Sequence, residues 1–248
     1  MERSIEIFPT PFELAEKVAL DLISLIKEAE KIKQPFNIAL SGGNTPKLLF
    51  TVLGDHFAGS VNWNMVNFFW VDERCVPPDN PESNYGMTKF SLLDKISIPG
   101  SNIHRIFGEE DPVNEAVRYS GVIAEITRKR NRLPVFDTIL LGMGEDGHTA
   151  SIFPGNEKLF RSNKICQAVI HPISGQARIT ITGKVINNAE SISFLVTGKS
   201  KAEMVSEILI NRSCEKRLPA TRVAPLNGKV TWFLDNESGQ YLSSVGSY

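Results

Sequence analysis

Leu14, Val18, Leu22, Leu25 and Ala29 recur at helical spacing, and Thr10, Pro11 and Glu13 ahead of them supply an N-cap, a first-turn proline and the second half of a capping box. The pattern predicts a helix from Pro11 that ends before Pro35. The short, mostly apolar segment Phe36-Asn37-Ile38-Ala39-Leu40, bounded by proline and glycine, reads as a buried strand. Ser41-Gly42-Gly43-Asn44 is then a turn, and Thr45-Pro46 opens a second helix over residues 47–53 that Gly54 stops. The same succession returns along the chain. Strands are expected over residues 66–71, 136–141, 178–182, 192–197 and 230–234, and helices near Ser83, from Asp111-Pro112 to about Asn131, and over residues 200–210.

Continuous apolar strands separated by helices imply an α/β fold with a parallel or mostly parallel sheet flanked by helices on both faces. No linker-like composition shift, low-complexity tract or repeat divides the chain, so one domain over residues 1–248 is expected. In such sheets ligands sit beyond the carboxyl ends of the strands. Four segments with unusual residues fall there: Ser41-Gly42-Gly43, Asp72-Glu73-Arg74, residues 142–148 and Gly198-Lys199.

Composition narrows the function classes. The net charge is −1, with acidic and basic residues interspersed, which offers no field for nucleic acid or an anionic membrane. Cys75, Cys166 and Cys214 are an odd set without metal-ligand spacing, so neither a disulfide framework nor a zinc site is expected. No basic segment leads into an apolar run near the N-terminus, and no apolar run reaches the roughly 18 residues of a membrane span. The expected compartment is the reducing cytoplasm, where the Asn211-Arg212-Ser213 glycosylation triplet has no meaning.

Several residues could carry chemistry. In Ser41-Gly42-Gly43-Asn44-Thr45-Pro46 the two glycines lie between a strand and a helix N-terminus, and they either form a tight turn needing positive φ or cradle an anion such as phosphate. Gly142-Met143-Gly144-Glu145-Asp146-Gly147 formally matches a dinucleotide fingerprint, but Pro154-Gly155 interrupts any long helix after it. The glycines instead shape a loop presenting Glu145, Asp146 and His148. Of the four histidines, only His148 is flanked by carboxylates in a strand-end loop; it reads as a general base or as a turn residue, whereas His56, His104 and His171 read as surface or structural. Asp72-Glu73-Arg74 is either a structural ion-pair cluster or, through Arg74, an anion binder. Cys75 and Cys166 lack the context of a nucleophile. Arg178 and Lys199, taken alone, read as solvated surface cations. No GxSxG elbow is present, which disfavours a serine hydrolase.

Together these segments resemble the 6-phosphogluconolactonase family: Ser41-Gly42-Gly43-Asn44-Thr45-Pro46, then Asp72-Glu73-Arg74 with Val76-Pro77 and Ser83-Asn84-Tyr85, then the run from Gly142 through Asp146-Gly147-His148-Thr149-Ala150-Ser151 to Pro154. Similarity continues through Arg178-Ile179-Thr180, Thr197-Gly198-Lys199 and Trp232-Phe233-Leu234-Asp235. The resemblance implies a Rossmann-like fold shared with glucosamine-6-phosphate deaminase and hydrolysis of 6-phosphoglucono-δ-lactone in the pentose phosphate pathway. It implies that His148 activates water with Asp146 as orienting partner. It also implies that Ser41, Gly42, Gly43, Asn44, Thr45, Arg178 and Lys199 bind phosphate, with Asp72 and Arg74 joining the substrate-binding set. The stretch from His171 to Ala177 departs from the paired prolines that the family often carries before its arginine. Opening an activated ester needs a base, a positioned water and oxyanion stabilisation, so neither a covalent nucleophile, a cofactor nor a catalytic metal is expected. The expected partner is a small sugar-phosphate lactone, for a monomer or homodimer. The alternatives are the deaminase, whose Asp-Gly-His motif continues with an acidic residue that Thr149-Ala150-Ser151-Ile152-Phe153-Pro154 lacks at the corresponding place, and a noncatalytic sugar-phosphate sensor.

Overall fold

The computed structural model describes residues 2–211 and 218–242, so Cys214 and the Arg212-Ser213 part of the glycosylation triplet lie outside the described residues. Helix α1 (Pro11–Lys31) begins where its capping residues require: Glu13 donates its N–H to Thr10 Oγ1 at 3.2 Å, and Thr10 donates its own to Glu13 Oε2 at 3.1 Å. Its apolar stripe, including Leu14, Val18, Leu22 and Ile26, is buried against α2 (Asn44–His56) and the adjoining sheet edge. Each such side chain contributes about 1.5–3 kcal/mol by leaving water.

Seven parallel strands form the main sheet, in the order β1 (Glu2–Phe8), β12 (Lys229–Asp235), β11 (Ser191–Val196), β8 (Thr138–Leu141), β2 (Phe36–Leu40), β3 (Val66–Trp70) and β5 (Ile103–His104). All residues of β2, β8 and β11 are buried, as expected of strands covered on both faces. Chain direction explains where a ligand fits. From β2 the chain moves outward to β3, whereas from β8 it moves the opposite way to β11, so the β2–β8 boundary is the topological switch point.

A second sheet, β4 (Asp72–Arg74), β10 (Ala177–Ile181) and β9 (Cys166–Ile170), is antiparallel and joins the main sheet through Val71, whose N–H bonds to Leu40 and whose carbonyl accepts from Ile181. Helix α4 (Pro112–Ile126) packs on β9 and β10. A short hairpin, β6 (Lys129–Arg130) with β7 (Leu133–Pro134), and the helices α3 (Asn84–Ser91), α5 (Gly183–Ile186) and α6 (Ala202–Ser206) complete the described elements apart from short 3-10 and π turns.

Differences from the sequence reading have local causes. α2 starts at Asn44 and runs through Gly54, whose missing Cβ makes room for Lys95 and the Ser91 carbonyl. α4 stops at Ile126 because Thr127 turns to extended backbone, and the segment read as one helix over 200–210 begins as a 3-10 turn and ends as a π-helix. No helix among the described residues is long and apolar enough to cross a membrane.

Candidate active site

The turn after β2 delivers an anion-seeking helix end. Gly43, at φ 106°, is the N-cap of α2, and no side chain caps the free N–H groups behind it. Gly42 is glycine because any Cβ would collide with the Asn84 carboxamide, which donates to the Asp72 carbonyl at 3.0 Å. Ser41 is buried beside them. Asn44 and Thr45 belong to the first turn of α2 but do not line the cavity; Thr45 Oγ1 is instead 2.7 Å from Thr197 Oγ1, tying this turn to the end of β11.

The small sheet brings two cations face to face. Arg74 and Arg178 are directly opposed across the β4–β10 pair. Like charges in such register repel, so an anion between them relieves the strain. Burial, and then the neighbouring Arg74, hold the Arg178 guanidinium below its usual range, while Asp72 works the other way. Arg74 also donates through Nη1 to the Glu82 carbonyl. Among the described residues Ser41 Oγ, Arg74 Nε and Arg178 Nε are buried without a hydrogen-bond partner, and all three residues line one cavity.

Glu73, between the cavity-lining Asp72 and Arg74, points into the protein. It accepts N–H bonds of 2.8 Å from Arg74, Asn84 and Tyr85 and a hydroxyl bond from Ser83 at 3.1 Å, so it clamps β4 to the N-terminus of α3. Burial pushes its carboxyl above the usual range, although those backbone bonds pull it down. Glu73→Ala should therefore cost about 2–4 kcal/mol, because it orphans several buried donors at once. Urea unfolding tests this; a loss under about 0.5 kcal/mol would leave the clamp without energetic weight.

The loop after β8 presents the imidazole. His148 Nδ1 lies 2.5 Å from Asp146 Oδ1, and its backbone N–H bonds to the same oxygen at 3.1 Å. A carboxylate only accepts, so Nδ1 carries a proton, and in the neutral ring Nε2 keeps its lone pair. Burial raises the Asp146 carboxyl, but the hydrogen bond to His148 and its charge outweigh that and hold it below the usual range. Gly144 donates its N–H to the His148 carbonyl at 2.9 Å, and Gly147 takes φ 78°. Further along, Thr149 Oγ1 bonds the Gly142 carbonyl at 2.9 Å, and buried Ser151 donates to Asp72 Oδ2 at 2.5 Å, joining this loop to β4. No long helix follows the GxGxxG pattern, only a 3-10 turn at Glu157–Phe160.

These elements enclose a cavity of about 220 Å³ at the switch point. Ser41, Gly42, Gly43, Asp72, Arg74, Arg178 and His148 line it, with Asp146 behind the imidazole. Lys199 does not line it: its backbone N–H bonds Glu237 Oε2 at 3.3 Å, and Lys201 supplies the lining cation instead. Residues 199–201 form a 3-10 turn, in which positions two apart face different sides. Asn84, which the sequence marks only as part of the resembling Ser83-Asn84-Tyr85 segment, also lines the cavity. Among the described residues no group of three or more His, Cys, Asp or Glu side chains could hold a metal ion.

Residues 9–232 match the family model described as glucosamine-6-phosphate isomerases/6-phosphogluconolactonase. The chain belongs to this family. It is 40% identical over 236 residues to a 6-phosphogluconolactonase of Haemophilus influenzae, covering 95% of this chain and 98% of that one. It is also 40% identical over 197 residues to that of Treponema pallidum, covering 79% and 82% respectively. A solved 6-phosphogluconolactonase from Trypanosoma cruzi superposes with a TM-score of 0.87 at 30% identity, covering 98% of both chains. The parallel sheet with flanking helices is thus the fold of this family.

Proposed function

We propose that this chain is a cytoplasmic 6-phosphogluconolactonase, one domain over residues 1–248, that opens 6-phosphoglucono-δ-lactone to 6-phosphogluconate in the oxidative pentose phosphate pathway, with His148 activating the water. The observation that carries the reading is the 2.5 Å Nδ1–Oδ1 bond between His148 and Asp146, which leaves Nε2 free at the wall of a cavity rich in anion-binding groups. Family membership supports the reaction class.

Water, held by Nε2, attacks the lactone carbonyl carbon and gives its proton to the imidazole. Asp146 stabilises the resulting imidazolium and keeps the ring in one tautomer. The tetrahedral intermediate collapses by breaking the bond to the ring oxygen, which takes the proton back from Nε2. The product acid then ionises. The N-terminus of α2, Arg178 and Lys201 bind the phosphate, with Ser41 Oγ and the second guanidinium, Arg74, completing a positive lining.

Steady-state kinetics test the assignment. Arg178→Ala or Lys201→Ala should each raise KM for the phosphorylated lactone about 10- to 100-fold, the worth of one charge-assisted hydrogen bond. Lys199→Ala should leave KM near wild type. Glucono-δ-lactone, lacking the phosphate, should be a much poorer substrate. Unchanged KM in both of the first two variants would reject the phosphate assignment.

A further inference from the structure

The turn joining β9 to β10 leads directly into Arg178, and one side chain gives it its shape. His171 Nδ1 accepts the backbone N–H groups of Ile173 at 3.2 Å and Ser174 at 3.1 Å, while the His171 main chain bonds to Gly175 and Gln176. Packing contributes little here: Ile173 is 90% exposed, and Gly175 takes φ 69°. A nitrogen that accepts two N–H bonds carries no proton, so this imidazole is neutral with its hydrogen on Nε2. Its ring meets Phe153 edge-on at 4.7 Å between centroids. Phe153, fully buried, lies 4.9 Å from the His148 ring and carries the Arg178 guanidinium over its face at 5.8 Å.

We propose that His171 is a positioning residue for Arg178: its unprotonated Nδ1 fixes the β9–β10 turn and, through Phe153, the guanidinium that takes the substrate phosphate. The inference rests on the assignment of Arg178 to the phosphate made above. It acts only while the imidazole is neutral, since a proton on Nδ1 would point at two N–H donors. Arg178 on β10, Arg74 on β4, and His148 and Asp146 on the loop after β8 are the charged and titratable groups that face it. Burial, then Arg178 and the other like charges, push its pKa below the ordinary histidine value, with Asp146 alone opposing. Acidification below that ordinary value therefore releases the turn and weakens phosphate capture.

The test is steady-state kinetics from about pH 5.5 to 8 on wild type, His171→Ala, His171→Asn and Arg178→Ala, with the phosphorylated and unphosphorylated lactones. Asn places Oδ1 where Nδ1 stood and does not titrate. We expect His171→Ala to raise KM for the phosphorylated lactone about five- to tenfold with kcat within about twofold, and to leave KM for glucono-δ-lactone unchanged. His171→Asn should restore the wild-type KM at pH 8, and its KM should rise less in acid than that of wild type, since only the titration of the substrate phosphate, at about pH 6, and of the rest of the site remains. A wild-type KM in His171→Ala beside a raised KM in Arg178→Ala would sink this inference alone. An unchanged KM in Arg178→Ala would sink the phosphate assignment and this inference with it. Should His171→Ala not fold, His171→Gln replaces it, because its amide reaches the Nε2 position and cannot cap the turn; equal KM in the Asn and Gln variants would then overturn the proposal.

Discussion

Replacing His148 by Asn should lower kcat on the phosphorylated lactone by about 10²–10⁴-fold, the usual worth of a positioned general base. Asn cannot take a proton from water at any working pH, yet it leaves Arg178, Lys201 and the α2 N-terminus in place. The dissociation constant for 6-phosphogluconate should therefore stay near wild type, and the loss should appear in kcat. Because the lactone also opens spontaneously, the comparison needs short times and subtraction of the uncatalysed rate. Retention of more than about a third of wild-type kcat would mean that His148 is not the base.

Gly144→Ala should be almost as damaging without replacing a titratable residue. A Cβ at this position would collide with His148 Nδ1 and Cε1 and with Asp146 Oδ1, so it wedges apart the hydrogen-bonded pair itself. The backbone bond from Gly144 N–H to the His148 carbonyl, 2.9 Å, leaves the loop little room to move aside. Displacing a base by about 1 Å costs on the order of 10²-fold in rate. The expected result is a kcat about 100-fold down, with 6-phosphogluconate binding and circular dichroism close to wild type. A kcat within about threefold of wild type would show that the imidazole finds its productive position without the Asp146 contact seen here.

The parts of the fold that could be read in advance were those whose signals are local. Thr10 and Glu13 cap α1 through contacts three residues apart, and the strand at 36–40 is apolar throughout except for Asn37, which hydrogen-bonds Asn67 on the next strand. β4 could not be read as a strand, since Asp72-Glu73-Arg74 is wholly polar and its partner β10 lies more than a hundred residues on. β1 has a weak local signal because it is an edge strand, with Ile5 and Ile7 about 40% exposed and the charged Glu6 between them. At the site, the glycine loop and the Asp146-Gly147-His148 run are contiguous and therefore visible. The opposition of Arg74 and Arg178 exists only after the small sheet has folded, and the choice of Lys201 over Lys199 depends on the pitch of one turn. Asn84 carries no chemical signature of its own; the clue to it is the absence of a side chain at Gly42.

The switch point has an evolutionary consequence. The loop proposed to hold phosphate follows β2 and the loop that presents the imidazole follows β8, two strands adjacent in the sheet yet about a hundred residues apart in the chain. Each loop hangs from its own buried strand, so residues in one can change without shifting the register of the other. On the proposed assignment, capture of a sugar phosphate and the reaction performed on it are therefore modular. One scaffold can keep its phosphate loop while the neighbouring loop differs between isomerising an amino sugar and opening a lactone, the two chemistries that share this family's description.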